Sequence, residues 1–545
     1  MVCLAFIAPL LVFVLAQSVH GSRSDVPEGA VQHELYSREH FLELGDEGGS
    51  MQKSKFRDVS KLNKREYGLG LEKRKSESIP VSPSYLYYLN ISLGSPPQHF
   101  MVNLETKSSD VWVFDSSVKD CTRRLYVDES ETCVYGNSFD TSKSRSFDSD
   151  HDMLFNKSYL DGSVVSGVYG KDTFKAGGIT LKDFTFGRAN HSTAAFVQGA
   201  IGLGFQGSEG VVDKPQYNDL LTSLTKAGYI YTSLASLFLN DKDQGSILFG
   251  AIDTEKFNDT LYVLPVGTLQ NDDQYRYPFV QLTEVSVTNK DKHASINKKD
   301  MPVLLDPGNI MSFLPYDSIV AVATQLNAMY NVDLNLWMQS CKYKKLTGTV
   351  NFHFYDATIE VPVHKLLLPM YNNDTGKPLQ FNDDEPACAL AFEDSAIIGY
   401  SSLGSGVMSS IYTVFDRDNF QIGLAQAKEN ATKSNIQVIA NNLTSHNRVE
   451  KVSNASGFAV DLDTPQETNS SKVDNGSPKL IISNGEIFTS QNGNGPNSVP
   501  HTGLPEPSDK PAKHPTGAKS LSTTLSTSLF VPLLFPLILI LTLSL

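Results

Sequence analysis

Cysteine is scarce in this 545-residue chain, which has five. That excludes a fold stapled throughout by disulfides. Positive charge is also in short supply: Lys plus Arg number 46 against 60 Asp plus Glu, a formal net charge of −14. A surface of that sign does not seek nucleic-acid phosphates, so no nucleic-acid partner is expected. Hydrophobic residues make up 40% and charged residues 19%, a balance that excludes both a wholly disordered chain and a polytopic membrane protein. Long apolar runs are missing except at the two ends. The 12 histidines show no metal-ligand spacing, and no phosphate loop or Ser/His/Asp pattern is present, so no metal and no cofactor are expected.

The first apolar end, residues 3–16, carries no charge and is followed by small residues at Ala16, Ser18, Gly21 and Ser22. It is too short to span a bilayer comfortably and reads as a signal peptide over 1–21. At the other end, 529–545 is uncharged, contains two prolines and has no basic residue after it, while Gly517, Ala518, Ser520 and Ser522 precede it. Residues 521–545 are therefore expected to be a removable signal for a glycosylphosphatidylinositol (GPI) anchor, which places the protein in the secretory pathway and at the plasma membrane or cell wall. With Cys3 lost, Cys121, Cys133, Cys341 and Cys388 remain. Three pairings are open; the simplest joins Cys121 to Cys133 and Cys341 to Cys388.

Residues 22–79 form a charged stretch without strand alternation, with dibasic pairs at Lys64-Arg65 and Lys73-Arg74, where a propeptide is cut. From Tyr85 the pattern becomes period two. Tyr87, Leu89, Ile91 and Leu93 alternate with polar neighbours, a GSPPQ turn follows, and Phe100, Val102 and Leu104 alternate again, which predicts a hairpin. Similar short runs continue to about Ala427, with helix-like stretches over 219–226 and 316–330, so the body is predicted to be mainly β. Beyond it, 428–520 is rich in Ser, Thr, Asn, Gly and Pro and is expected to be a glycosylated stalk. Glycosylation sequons fall at Asn90, Asn156, Asn190, Asn258, Asn373, Asn430, Asn442, Asn454 and Asn469, and a further one at Asn475 is weakened by Pro478.

Two segments share a shape. Residues 101–114 (MVNLETKSSDVWVF) and 301–315 (MPVLLDPGNIMSFLP) each send an apolar strand into an acid, Glu105 or Asp306, then a turn, then apolar residues. An acid at the end of a buried strand is costly unless paired, so the two carboxylates are expected to meet between lobes.

With these turns, the hairpin YYLNISLGSPPQHFMVNL, the flap-like SYLDGSVVSGVYGKDTF and the pieces AIGLGF, GSILFGAID, AIIGYSSLG and IYTVFDRDNFQIGLAQA, the chain resembles the pepsin-like aspartic proteases, and more closely the fungal yapsins. The resemblance covers about 85–427, and signal, propeptide, stalk and anchor match yapsin architecture. It implies a bilobal, mainly β fold over 80–427, with lobes of about 80–265 and 266–427 and a cleft under a β-hairpin flap. It also implies a peptide or protein ligand in that cleft, a monomer tethered to the membrane by its lipid anchor, and disulfides at the places proposed above. In the family, two carboxylates share one proton and activate a water. Each comes from an Asp-Ser/Thr-Gly-Ser/Thr turn.

Four of the eight turn positions depart from that pattern. Glu105 stands where the first Asp belongs, one methylene longer. Lys107 replaces Gly and is expected to favour an ionised Glu105. Thr106 and Ser108 are retained. In the second turn Asp306 and Gly308 are kept, Pro307 removes a hydroxyl and an N–H, and Asn309 replaces a hydroxyl. In the flap, Tyr159, Asp161, Gly162 and Ser163 fit while Leu160 replaces Gly, and Tyr400 follows Gly399 where Asp is common. Trp112 and Tyr159 are expected to serve both as core aromatics and as flap support. Asp128, Glu129 and Glu131 read as a solvated loop. The expected function is a cell-surface homologue with lost or strongly reduced endopeptidase activity and a retained peptide-binding cleft. Its rival is an active acid endopeptidase using Glu105 and Asp306 on secreted or wall proteins, at basic residues; a purely structural glycoprotein is the third reading.

Overall fold

The computed structural model describes residues 27–37 and 86–462, except residue 28 and short interior stretches that include 121–132, 160–161 and 372–376. The signal peptide, both dibasic pairs, Leu160, Asp161, Asn373, Asn469 and the C-terminal tail lie outside the described residues. The chain is mainly β. Its largest sheet has 14 strands and runs from Val449–Lys451 at one edge to Leu154–Ser158 at the other. The predicted hairpin is there: Tyr87–Leu93 pairs antiparallel with Gln98–Glu105, with Leu93 opposite Gln98. Alternation puts Leu89, Ile91, Phe100, Val102 and Leu104 into one core.

The same four-strand figure is built twice. In the first half Gly199–Gly202 lies parallel to Gln98–Glu105 and antiparallel to Val111–Phe114, which in turn runs parallel to Ile179–Ser192. In the second, Ser401–Leu403 lies parallel to Met301–Leu305 and antiparallel to Ser312–Leu314, itself parallel to Phe392–Asp394. This repetition is the structural content of the two lobes. It places Glu105 and Asp306 at equivalent strand ends.

Three expectations are corrected. Residues 22–79 are not free of strand: Val31–Ser37 lies between Gln244–Phe249 and Tyr87–Leu93 in the large sheet. The stalk does not begin at 428, because Ile436–Val438, Val449–Lys451 and Ala459–Val460 each pair with the body. Ile439, Leu443, Val449, Val452 and Val460 are buried there, enough apolar surface to hold a segment whose composition looked structureless. The helix predicted over 316–330 stops at Gln325, where Asn327 turns left-handed (φ 52°) and Met329–Asn331 becomes a strand. The helix Leu220–Lys226 starts where predicted, capped by Asp219 accepting from the Thr222 N–H at 3.0 Å.

Cys341 and Cys388 form a disulfide across a separation of 47 residues. Cys121 is outside the described residues, and of Cys133 only the strand Cys133–Val134, parallel to Lys119–Asp120, is described. Asn90, Asn156, Asn190, Asn258, Asn430 and Asn454 are exposed. Asn442 is half-buried, and its Oδ1 accepts from the Thr444 N–H and hydroxyl at 3.0 and 2.9 Å. No helix among the described residues is long and apolar enough to cross a membrane.

Candidate active site

Gln98–Glu105 and Met301–Leu305 are buried toward their C-terminal ends, where Glu105 and Asp306 are both fully buried. The turns that follow touch. Thr106 Oγ1 donates to the Leu305 carbonyl at 2.5 Å, a bond spanning 199 positions. Pro307 has no hydroxyl or N–H to return it, so the cross-link runs one way. A Cβ on Gly308 would come within 2.9 Å of Glu105 Cβ and 3.1 Å of the Leu104 carbonyl oxygen, and glycine is what lets the turns approach.

The outer oxygens of the two acids are held differently. Glu105 Oε1 accepts from Ser108 Oγ at 2.8 Å and from the Tyr159 hydroxyl at 3.1 Å, and Trp112 Nε1 donates to that hydroxyl at 3.0 Å. The flap turn is closed by the Gly162 N–H on the Tyr159 carbonyl at 2.9 Å, with Gly162 left-handed at φ 79°. Asp306 Oδ1 accepts from the Gly308 N–H at 3.0 Å. Glu105 Oε2 and Asp306 Oδ2 are buried with no hydrogen-bond partner among the described residues. Lys107 fills the space beside them: its Nζ lies 3.5 Å from Asp306 Oδ2, 3.4 Å from Asn309 Oδ1 and 5.4 Å from the centre of the Tyr159 ring.

Burial pushes the Glu105 carboxyl up to about 7; Lys107 and the Ser108 hydrogen bond pull it down, the neighbouring Asp306 pushes it up and Lys157 pulls it down. Lys107 does favour an ionised Glu105, as expected, but burial of the carboxyl outweighs it. The ammonium itself leans onto Asp306. The pair is thus unlike in its partners: Glu105 holds a proton to near neutrality, while Asp306 faces a fixed cation. Trp112 and Tyr159 are buried core aromatics that also carry hydrogen bonds of the site.

Two site residues escaped the sequence reading, Lys157 and Asp110. Lys157 lies on the strand Leu154–Ser158, whose exposure alternates so that Phe155, Lys157 and Tyr159 share the buried face. A lysine at an inward position of a period-two strand was the available signal. Asp110 sits five residues after Glu105 and accepts from Tyr169 and Tyr217 hydroxyls at 2.6 and 2.7 Å. Tyr400 is buried and meets Phe279 edge-on at 6.0 Å.

Residues 86–427 match the eukaryotic aspartyl protease family. Among curated relatives, "Probable aspartic-type endopeptidase OPSB" of Trichophyton verrucosum is 31% identical over 72% of this chain and 78% of its own length. "Aspartic proteinase yapsin-3" of Saccharomyces cerevisiae is 29% identical over 74% and 77%, and "Secreted aspartic protease 3" of Candida albicans 31% over 67% and 86%. The aspartic proteinase of Irpex lacteus, at 19% identity and a TM-score of 0.50, overlaps 64% of this chain and 97% of its own and supports the fold. With the doubled four-strand figure and the two acid-bearing turns in contact, these likenesses show that the chain belongs to the eukaryotic aspartyl proteases.

Proposed function

We propose that this is a cell-surface, yapsin-like aspartic protease homologue whose endopeptidase activity is lost or strongly reduced and whose cleft still binds peptides. One observation carries the reading: the Lys107 ammonium, 3.5 Å from Asp306 Oδ2, neutralises one carboxylate in the place where the family's two acids share a proton. A water between these acids would have to compete with the Lys107 ammonium for Asp306. Pro307 and Asn309 loosen the second turn further.

A second reading, an acid endopeptidase that uses Glu105 and Asp306, is favoured by the Glu105 carboxyl at about 7 and by its Oε2, which is buried without a hydrogen bond among the described residues and so free to carry a proton. Peptide hydrolysis at acid pH, with a statine-type inhibitor as the binding probe, separates the two. The relatives named as a yapsin and a secreted protease support a secretory route and a surface location. The uncharged tail over 529–545 supports the lipid anchor, which release by a GPI-specific phospholipase tests.

A further inference from the structure

We propose that Lys157 is a positioning residue that pins the flap closed over Glu105. Its side chain is 5% exposed and its Nζ donates to the Ser208 carbonyl at 2.6 Å. The same ammonium lies 5.9 Å from the centre of the Tyr159 ring and 5.8 Å from that of Tyr277. One strand residue thus joins the flap to the 205–211 loop and to the segment that enters the second lobe.

The loop is itself tied down. The Asn156 N–H donates to the Gly210 carbonyl at 2.7 Å, Gly210 N–H donates to Asp110 Oδ2 at 2.8 Å, and Arg276 Nη1 donates to the Gly207 carbonyl at 3.0 Å. A Cβ on Gly210 would stand 3.0 Å from Lys157 Cβ, so the loop backs directly on the lysine. Asp110 is fully buried and accepts three hydrogen bonds, from Tyr169, Tyr217 and Gly210. A buried ammonium is expensive unless matched by opposite charge. Here burial pulls the Lys157 amine down, Asp110, Glu105 and Glu209 raise it in that order, and Lys107 lowers it. The flap therefore holds its buried cation against the Ser208 carbonyl and two aromatic faces, with Asp110, Glu105 and Glu209 favouring its charge, and opening the flap must expose or strand that cation.

Tyr159 completes the latch. Its hydroxyl lies between Trp112 Nε1 and Glu105 Oε1, and the ammoniums of Lys107 and Lys157 both lie over its ring. An ionised Glu105 accepts the phenol proton more strongly than a neutral one, so the latch is tighter above about 7 and looser below. The groups that face Glu105 are Lys107, Ser108, Asp306, Tyr159 and Lys157. Those that face Lys157 are Asp110, Glu105, Glu209, Lys107, Tyr159 and Tyr277. Lys157 thus acts twice, on the flap's position and on the proton of Glu105. Neither action depends on peptide hydrolysis, so turnover by the native chain would overturn the loss of activity and leave Lys157's role standing.

Hydrogen exchange of the flap in the ligand-free, full-length protein tests this, read as protection over 154–168 from pH 5 to 8.5 after correction for intrinsic rates. Native protein should lose protection as pH falls through about 7. Lys157→Met should lower flap protection about tenfold and move that midpoint upward, because a cation that favours ionised Glu105 has gone. Lys157→Arg should restore both in part, which a purely volumetric role would not do. If Lys157→Met does not fold, Lys157→Gln is measured for the same shift. Native-like flap protection with an unmoved midpoint in either neutral variant overturns the proposal.

Discussion

Lys107 Nζ stands 3.5 Å from Asp306 Oδ2, across a turn-to-turn contact in which Thr106 bonds to Leu305 and nothing on Pro307 answers. The family's turn has glycine at position 107. Here a lysine stands there, and its ammonium lies against Asp306 and Asn309. Asp306 becomes half of a buried ion pair. Glu105, one methylene longer than aspartate, reaches Ser108 and Tyr159, and its desolvated carboxyl keeps a proton to near neutrality.

The segment after Ala427 should be indispensable to folding. Ile439, Leu443, Val449, Val452 and Val460 are buried, and each such side chain stabilises by about 1.5 to 3 kcal/mol. Their combined loss rivals the usual net stability of about 5 to 15 kcal/mol. A chain ended after Ala427 should aggregate or fail to be secreted, whereas one ended after Leu462 should yield a monodisperse product with a native melting temperature. Equal folding of the two would show that the strands of 436–460 contribute nothing.

Removing the Cys341–Cys388 bridge should cost about 4 kcal/mol on the loop-entropy account, since it closes a loop across a separation of 47 residues. Cys341→Ala with Cys388→Ala should lower the denaturant midpoint accordingly. Non-reducing peptide mapping of the native chain should also find Cys121 joined to Cys133, and a bridge between the early and late cysteines would contradict the assignment.

Glu393 is fully buried, neither of its oxygens has a hydrogen-bond partner among the described residues, and burial pushes its carboxyl up to about 8 from an ordinary 4.5. The folded state therefore keeps a proton that the unfolded chain gives up near 4.5. Stability from this group is full below 4.5, falls as pH rises and is gone above about 8, a swing of about 2 to 5 kcal/mol. Glu393→Gln should match the native protein at pH 4 and melt several degrees higher at pH 8. A constant difference in melting temperature across that range would rule out the titration.

Much of this was legible in the sequence. Period-two alternation gave the first hairpin, the two acid-bearing turns gave the strand ends that meet, and Asp219 marked its helix. What stayed hidden had physical reasons. The 428–462 stretch looks like a stalk because its apolar residues are few; those that are buried are brought to the body by three short strands and a 3-10 turn, which composition cannot show. Val31–Ser37 lacks clean alternation and lies within a charged stretch, and its place is set by two partners remote in sequence. At the site, the residue types at 105, 107, 307 and 309 marked departures from the family's turns, but which acid the Lys107 ammonium faces did not follow from them. Whether Lys107 served Glu105 or Asp306 depended on where a four-carbon side chain came to rest, and the burial that raises Glu105 depends on all the packing around it.

The central claim is most directly tested by peptide hydrolysis at acid pH, comparing the unmodified chain with the quadruple variant Glu105→Asp, Lys107→Gly, Pro307→Thr and Asn309→Ser. Residues that act as a unit are strongly non-additive, so Glu105→Asp alone should stay nearly inactive. The quadruple variant should gain turnover that Asp306→Asn removes again, while the unmodified chain binds a statine-type inhibitor without cleaving peptide. Robust turnover by the unmodified chain, abolished by Glu105→Gln, would contradict the account and make Glu105 and Asp306 a working pair.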